Sequence, residues 1–137
     1  MIGIVIVTHR QLGESLIDAA EFILGSSLDS VEPVSIDLNE RADLLRKKIA
    51  EGIKAVDDKS GILILTDMFG GTPSNLSYSF LEEDRIEVIS GVNLPILIKA
   101  VESRKKMALG ELAEALESYG KKSITSASGI LKGNKRG

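Results

Sequence analysis

Short, almost wholly apolar runs alternate along the chain with longer segments whose apolar residues recur three and four positions apart. The first run, residues 2–7, is rich in β-branched side chains, as is typical of a strand covered on both faces. The next segment, residues 12–23, has the spacing of an amphipathic helix, and Gly25 follows it as a stop signal. The same patterns predict strands at residues 31–36, 61–65 and 86–89, and helices at residues 39–56, 94–101 and 107–119, with a further helix from residue 73.

Proline and asparagine residues refine these boundaries. Pro33 cannot donate a backbone hydrogen bond, so the second strand is expected at an edge of the sheet. Asn39 is the predicted N-cap of the second helix, and Pro73 is the predicted first residue of the third.

The C-terminal part of the chain has a different pattern. Polar and apolar side chains alternate over residues 122–127, which favours an antiparallel or edge strand over a buried parallel one. The residues that follow are polar and rich in glycine. We therefore expect one domain over residues 1–127 and a flexible tail at residues 128–137.

The strict alternation of strands and helices predicts an α/β fold. A parallel, doubly wound sheet with helices on both faces is the architecture that this order favours. Such sheets bind ligands beyond the carboxyl ends of the strands, where the strand order reverses. With a strand order of 2-1-3-4, the reversal lies between the first and third strands, so the candidate site is expected there.

Two residues with chemical potential occupy these strand ends. The first strand ends in Thr8-His9-Arg10, which contains the only histidine of the chain, and the third ends in a segment that begins Thr66-Asp67. A carboxylate that accepts a hydrogen bond from one imidazole nitrogen leaves the lone pair of the other nitrogen facing outward. It also stabilises the positive charge that develops when that nitrogen attacks phosphorus.

The segment after Asp67 is suited to anion binding. Gly70 and Gly71 allow backbone N–H groups to turn toward an anion, and the hydroxyls of Thr72 and Ser74 add donors at the start of the next helix. Together with His9, these residues predict a phosphohistidine site.

Each feature also has a purely structural interpretation. A lone histidine at a strand end is more often a satisfied polar residue than a nucleophile, and Gly-Gly-Thr-Pro by itself is a turn before a helix.

A metal site would need more ligands than one histidine and one carboxylate. Ser74 could serve as the nucleophile of a Ser-His-Asp hydrolase, but the Gly-x-Ser-x-Gly elbow is absent. A response-regulator receiver would need an acidic cluster where this chain has Thr-His-Arg.

The amino-acid composition excludes further classes of protein. The chain of 137 residues has no cysteine, so disulfides and thiol chemistry are excluded. With 17 basic against 20 acidic residues and no tryptophan, it lacks the basic surface and stacking platforms of a nucleic-acid binder. The apolar run at residues 4–7 is far too short for a signal peptide or membrane span. We therefore expect a cytoplasmic protein without direct membrane insertion.

Three motifs resemble one known family. Thr8-His9 ends the first strand, Asp67-Met68-Phe69-Gly70-Gly71-Thr72-Pro73-Ser74-Asn75 follows the third, and Gly91-Val92-Asn93-Leu94-Pro95 follows the fourth. Together they resemble the mannose-class EIIA domain of the bacterial phosphoenolpyruvate-dependent sugar phosphotransferase system (PTS), with matching spacing over about residues 1 to 127.

This resemblance implies a function and an assembly. His9 would accept a phosphoryl group from the carrier protein HPr, with Asp67 as its hydrogen-bonding partner, and would pass the group to an EIIB domain for sugar uptake. Such a phosphotransferase forms a covalent phosphohistidine and needs neither metal nor other cofactor in this chain. Family members are homodimers in which the C-terminal strand crosses to the partner, and residues 122–127 would be that strand.

Two positions beside the motifs have open roles. The family usually has glycine where this chain has Arg10, which would either point outward to HPr or EIIB or swing in and pair with the phosphate. Asn93 would either cap the helix that starts near Pro95 or reach the site with its amide.

Two other functions fit part of the sequence. The phosphocarrier subunit of dihydroxyacetone kinase shares the fold and the strand-end histidine, but the second and third motifs argue against it. A regulatory module, read by a partner according to its phosphorylation state, would have the same site residues. The sequence predicts a PTS phosphocarrier and leaves the transport or regulatory role open.

Overall fold

The computed structural model describes residues 1–132. Strands and helices alternate through most of this range. The strands are β1 (Gly3–His9), β2 (Val31–Ile36), β3 (Ile62–Thr66) and β4 (Ile86–Ser90), and the helices are α1 (Leu12–Leu24), α2 (Ala42–Val56), α3 (Thr72–Tyr78), α4 (Leu94–Ser103), α5 (Leu109–Lys122) and α6 (Ala127–Leu131).

The four strands form one parallel sheet in the order β2-β1-β3-β4, which confirms the predicted topology. The two central strands, β1 and β3, are buried almost throughout, as their continuous apolar sequences predict. The register pairs Val7 with Thr66 and His9 with Ile36. The carboxyl ends of β1 and β3 therefore lie side by side, and the residues after each strand meet at one edge of the sheet.

Helices cover both faces of the sheet, as predicted. Alternate residues of β1 point to opposite sides, so Ile4 and Ile6 join one core cluster while Val5 and Val7 join the other. α1, α4 and α5 supply buried residues to the first cluster, and α2 and α3 supply them to the second. Each fully buried aliphatic side chain stabilises the fold by about 1.5–3 kcal/mol relative to exposure, so these layers hold the strand ends in a fixed geometry.

The predicted helices are all present, but some boundaries are shifted: α3 begins at Thr72 rather than at Pro73, and α5 spans Leu109–Lys122 rather than residues 107–119. Gly25 ends α1 in the left-handed conformation, with φ of 74°. The prediction of Asn39 as the N-cap of α2 is wrong, because Arg41 occupies that position. Asp37 organises a turn here: its Oδ1 accepts from the Asn39 amide at 3.0 Å and its carbonyl accepts from the Glu40 amide at 3.1 Å. The helix therefore starts later than predicted.

The C-terminal segment also differs from the prediction. Residues 122–127 form no strand: α5 continues to Lys122, residues 123–126 are irregular, and α6 begins at Ala127. Lys121 and Lys122 lie in the last turn of α5, where positive charge favours the helix, and the Ser123 hydroxyl donates to the Gly120 carbonyl at 2.7 Å.

The antiparallel edge strand is thus absent from residues 1–132, in which β4 pairs in the sheet with β3. The predicted flexible tail is partly helical, because α6 includes residues 128–131. Residues 133–137 lie outside the described part of the chain.

Candidate functional site

The turn after β1 presents His9 at the edge of the sheet. The fully buried Thr8 hydroxyl accepts from the Gly13 amide at 2.9 Å and donates to the Arg10 carbonyl at 3.4 Å. The Arg10 amide in turn donates to the Ile36 carbonyl at 3.0 Å. These bonds hold Arg10 at a φ of 50°, an uncommon conformation for a residue other than glycine. The backbone around His9 is therefore fixed from both sides.

One carboxylate oxygen binds His9 twice. Oδ2 of Asp67 accepts from the His9 backbone amide at 2.9 Å and lies 2.8 Å from Nδ1 of its ring. An ionised carboxylate can only accept, so Nδ1 is the protonated nitrogen and Nε2 carries the free lone pair. The His9 side chain is 34% exposed, whereas that of Asp67 is 10% exposed. The pair thus combines a shielded carboxylate with a reachable imidazole.

Gly71 lies directly against the imidazole ring. A Cβ at this position would lie 3.0 Å from Cε1 and 3.7 Å from Nε2 of His9, so glycine is what allows the backbone to come this close. Gly70 has a φ of 84°, which favours glycine. The predicted glycine turn is therefore next to His9, on the side of the free nitrogen.

The two hydroxyl residues that follow differ in accessibility. Thr72 is the first residue of α3 and is partly exposed beside Gly71. Ser74 is fully buried, and its hydroxyl shares a 2.6 Å hydrogen bond with that of Ser90. The Ser74 hydroxyl therefore points into the protein, where it already has a partner, and its role as a phosphate ligand stays a prediction.

Arg10 lies on the β2 side of His9. Its exposed side chain lines a cavity of about 220 Å³ with residues of the loop after β2, among them Asp37 and Glu40. Gly71 belongs to the loop after β3, which is the strand on the opposite side of β1. This arrangement favours the outward orientation of Arg10 over contact with a phosphate.

Asn93 is a structural cap. Its Oδ1 accepts from the Ile96 amide at 2.9 Å, and its Nδ2 donates to the Ser123 hydroxyl at 3.1 Å. Both ends of the amide therefore have partners outside the His9–Asp67 pair, and the capping interpretation is confirmed.

Exposed apolar side chains near His9 were not recognised in the sequence as part of the site. Met68 and Phe69 directly follow Asp67, and Phe69 is 78% exposed. Leu12 and Leu38, which follow β1 and β2, are also exposed. Large apolar residues close to strand ends were the signal that could have identified them, and Met68, Phe69 and Leu38 also lie outside the helical and strand patterns.

Residues 1–132 contain neither a cluster of metal-ligating side chains nor a helix suited to crossing a membrane. No group of three or more histidine, aspartate or glutamate side chains lies close enough to hold a metal ion. No helix in this part of the chain is both long and apolar enough to cross a membrane.

Comparisons with known proteins give a consistent result. The model of the EIIA-man family, described as "PTS system fructose IIA component", matches residues 3–117. The fructose-specific EIIA component of Bacillus subtilis is 31% identical over 125 residues, which are 90% of this chain and 85% of that protein. The mannose-specific EIIAB component of Escherichia coli K12 is 35% identical over 104 residues, 75% of this chain but only 32% of that longer protein.

A solved structure shows the same fold. The EIIA component from Streptococcus agalactiae superposes with a TM-score of 0.83 at 28% identity, covering 93% of this chain and 98% of that one. The parallel sheet, the histidine and aspartate at adjacent strand ends, and these matches together identify the chain as a PTS EIIA component. This chain belongs to the mannose-class EIIA family of that system. Members of the class are phosphotransferases of sugar transport and work with HPr and EIIB.

Proposed function

We propose that this EIIA component is a phosphocarrier that accepts a phosphoryl group from phospho-HPr on Nε2 of His9 and passes it to an EIIB domain. The observation that carries the proposal is the pair of hydrogen bonds that one Asp67 oxygen accepts from the backbone amide and from Nδ1 of His9. It gives the ring one orientation and one tautomer. Nε2 is then the nucleophile, and Gly71 lies close to its side of the ring.

The chemistry needs little beyond positioning. The Nε2 lone pair attacks the phosphorus of the donor, and the bond between that phosphorus and the donor atom breaks as its electron pair returns to the donor. The proton stays on Nδ1, so the ring becomes positively charged, and Asp67 stabilises this charge. Transfer to EIIB is the same step in reverse with a second protein. The rate is set by in-line alignment, without a proton transfer.

The surface around His9 suits a protein donor and acceptor. The imidazole is partly exposed, and the exposed side chains of Met68 and Phe69 lie beside Asp67. Apolar side chains at this position provide contact area that a docking protein covers. The nucleophile and the apolar surface therefore serve the same encounter.

The same family relationship leads us to propose a homodimer. The outer edge of β4 borders a groove of about 460 Å³ between Phe69 and Tyr78 on one side and α5 on the other. The C-terminal segment carries exposed Ile124, Ile130 and Leu131. If the C-terminal segment of a second copy packs beside β4, it covers the open edge of that strand. Its own exposed apolar side chains are buried at the same time.

Reconstitution tests the phosphocarrier function. The protein is incubated with labelled phosphoenolpyruvate, enzyme I and HPr, and then with candidate EIIB proteins. We expect an acid-labile label that is absent from His9→Ala and that moves to an EIIB. A label that survives in His9→Ala would overturn the assignment of the nucleophile. Labelled His9 without transfer to any EIIB would favour the regulatory alternative.

A further inference from the structure

Four hydroxyl groups meet beside the candidate site, in a group that we call the hydroxyl cluster: Thr66, Ser74, Tyr78 and Ser90. Ser90 is its centre. Its Oγ accepts from Thr66 Oγ1 at 2.8 Å and shares hydrogen bonds with Ser74 Oγ at 2.6 Å and with Tyr78 Oη at 3.0 Å.

These hydroxyls belong to the segments that hold the site. Thr66 is the last residue of β3 and directly precedes Asp67. Ser74 is the third residue of α3 and follows the Gly70–Gly71 turn. Ser90 ends β4 and pairs with Thr66 in the sheet. One oxygen therefore ties together the two ends of the loop that contains Asp67 and the glycine turn.

The hydrogen-bonding capacity of the Ser90 hydroxyl is fully used. A serine hydroxyl has one hydrogen to donate and two lone pairs. Since Thr66 donates to it, Ser90 donates to one of Ser74 and Tyr78 and accepts from the other. Thr66 and Ser74 are fully buried, so water does not replace a lost partner without a rearrangement. A partly buried network centred on one saturated hydroxyl favours a single arrangement of the segments that it joins.

The glycine turn has little freedom to move without affecting His9. The position of Gly71 is close enough to the ring that even a methyl group there would contact Cε1 at 3.0 Å. A shift of α3 or of the end of β3 would move this backbone relative to Nε2. Such shifts, of about 1 Å, can slow a reaction that depends on alignment by about 100-fold.

We propose that Ser90 is a positioning residue for phosphoryl transfer: through Thr66 and Ser74, it holds the Gly70–Gly71 turn at the distance from His9 that in-line transfer requires. This inference rests on the proposed function. β4 contributes no residue to the His9–Asp67 pair, but through Ser90 it would take part in positioning the reaction.

The test compares Ser90→Ala with Ser77→Ala. Ser77 is a matched control, because its buried hydroxyl donates to the Pro73 carbonyl at 2.6 Å within the same helix and lies outside the cluster. Phosphorylation by phospho-HPr is measured at a temperature where both variants are folded. Ser90→Ala is expected to lower the rate at saturating donor about 10- to 100-fold with little change in KM, whereas Ser77→Ala keeps the rate within about twofold.

Rescue and spectroscopy separate positioning from general stability. Ser90→Thr keeps the hydroxyl at a partly exposed position and is expected to restore most of the rate. In NMR spectra of the unphosphorylated protein, Ser90→Ala is expected to shift and broaden the Gly70 and Gly71 amide signals, while Ser77→Ala leaves them in place. An unchanged maximal rate in Ser90→Ala, or equal loss in both alanine variants, would overturn the inference.

The experiments distinguish failure of the proposed function from failure of the proposed role of Ser90. If the wild-type protein were not labelled on His9, the proposed function would fall. If it were labelled normally while Ser90→Ala behaved as wild type in rate and in the glycine signals, the function would stand and the role of Ser90 would be refuted.

Discussion

At the scale of single residues, the account depends on how Asp67 holds His9. Oδ2 of Asp67 accepts from both Nδ1 and the backbone amide of His9, so it sets the direction of the ring and the site of the proton. The sequence predicted this pairing because both residues lie at the carboxyl ends of adjacent parallel strands. It could not predict that one oxygen makes both bonds, since that depends on the rotamers.

Removing the charge of Asp67 tests this arrangement. Asp67→Asn keeps the size of the side chain and one oxygen acceptor but removes the negative charge that stabilises the positively charged ring, so we expect phosphorylation of His9 to slow by about 100-fold while the fold persists. Rapid-quench measurements with labelled phospho-HPr give the rate. Asp84→Asn is a matched control, because Asp84 is exposed at a φ of 64°, a conformation that asparagine also tolerates. Unaltered kinetics in Asp67→Asn would refute its role.

The close approach of Gly71 leads to a second residue-scale prediction. The Cβ of Gly71→Ala would lie 3.0 Å from Cε1 of His9 and 3.2 Å from Cγ of Met68, so the ring or the turn must shift. We expect a loss of about tenfold in the transfer rate with retained secondary structure. Gly110→Ala is the control, because nothing lies within 4 Å of its added Cβ. Equal rates in the two variants would contradict a tight contact with the ring.

Ser74 illustrates what residue type and position leave undetermined. Its place after the glycine turn suggested a phosphate ligand, but the hydroxyl points into the protein toward Ser90. The direction of a side chain at the start of a helix depends on the neighbouring strands. Ser90 itself carried no signal in the sequence, because a serine at a strand end has many structural explanations.

At the scale of secondary-structure elements, the local sequence pattern predicted an element correctly where that element is held mainly by burial of its apolar side chains. The four strands followed from short apolar runs that alternate with helical patterns, and the expected strand order 2-1-3-4 is observed. The C-terminal segment was predicted incorrectly, because weak alternation of small polar residues does not define a strand without a neighbouring strand to pair with. The helical preference of the preceding residues extended α5 instead.

Arg104 connects secondary-structure elements, and its removal is expected to lower the stability of the fold. Its buried guanidinium donates to the carbonyls of Ile2, Asp29 and Ser30, and so connects the end of α4 to the starts of β1 and β2. Burial lowers the pKa of Arg104 from its ordinary value. Arg104→Met leaves these carbonyls without their donor, and we expect the free energy of unfolding to fall by about 2–4 kcal/mol.

Urea denaturation measures this change. Arg46→Met is the control, because Arg46 is an exposed residue of α2, and it is expected to change the free energy of unfolding by less than about 0.5 kcal/mol. Equal midpoints for the two variants would show that the bonds of Arg104 contribute nothing to stability.

At the scale of the whole molecule, the proposed homodimer leads to a test of the C-terminal segment. A chain that ends at Lys122 lacks the exposed apolar residues after α5, so we expect it to be monomeric at concentrations where the full chain is dimeric. Light scattering coupled to size-exclusion chromatography measures both masses. Glu117→Gln in the full chain, which changes charge near the β4 groove without removing the segment, serves as a comparison. A monomeric full chain, or a dimeric truncated one, would contradict the proposed assembly.

The central claim is that Asp67 engages Nδ1 and leaves Nε2 of His9 as the phosphorylated atom. Its most direct test is NMR of the ¹⁵N-labelled protein after phosphorylation by phospho-HPr, with the ring nitrogens assigned from couplings to carbon-bound ring protons. The account predicts phosphorus on Nε2 and a proton retained on Nδ1. Phosphorus on Nδ1, or on any residue other than His9, would contradict it.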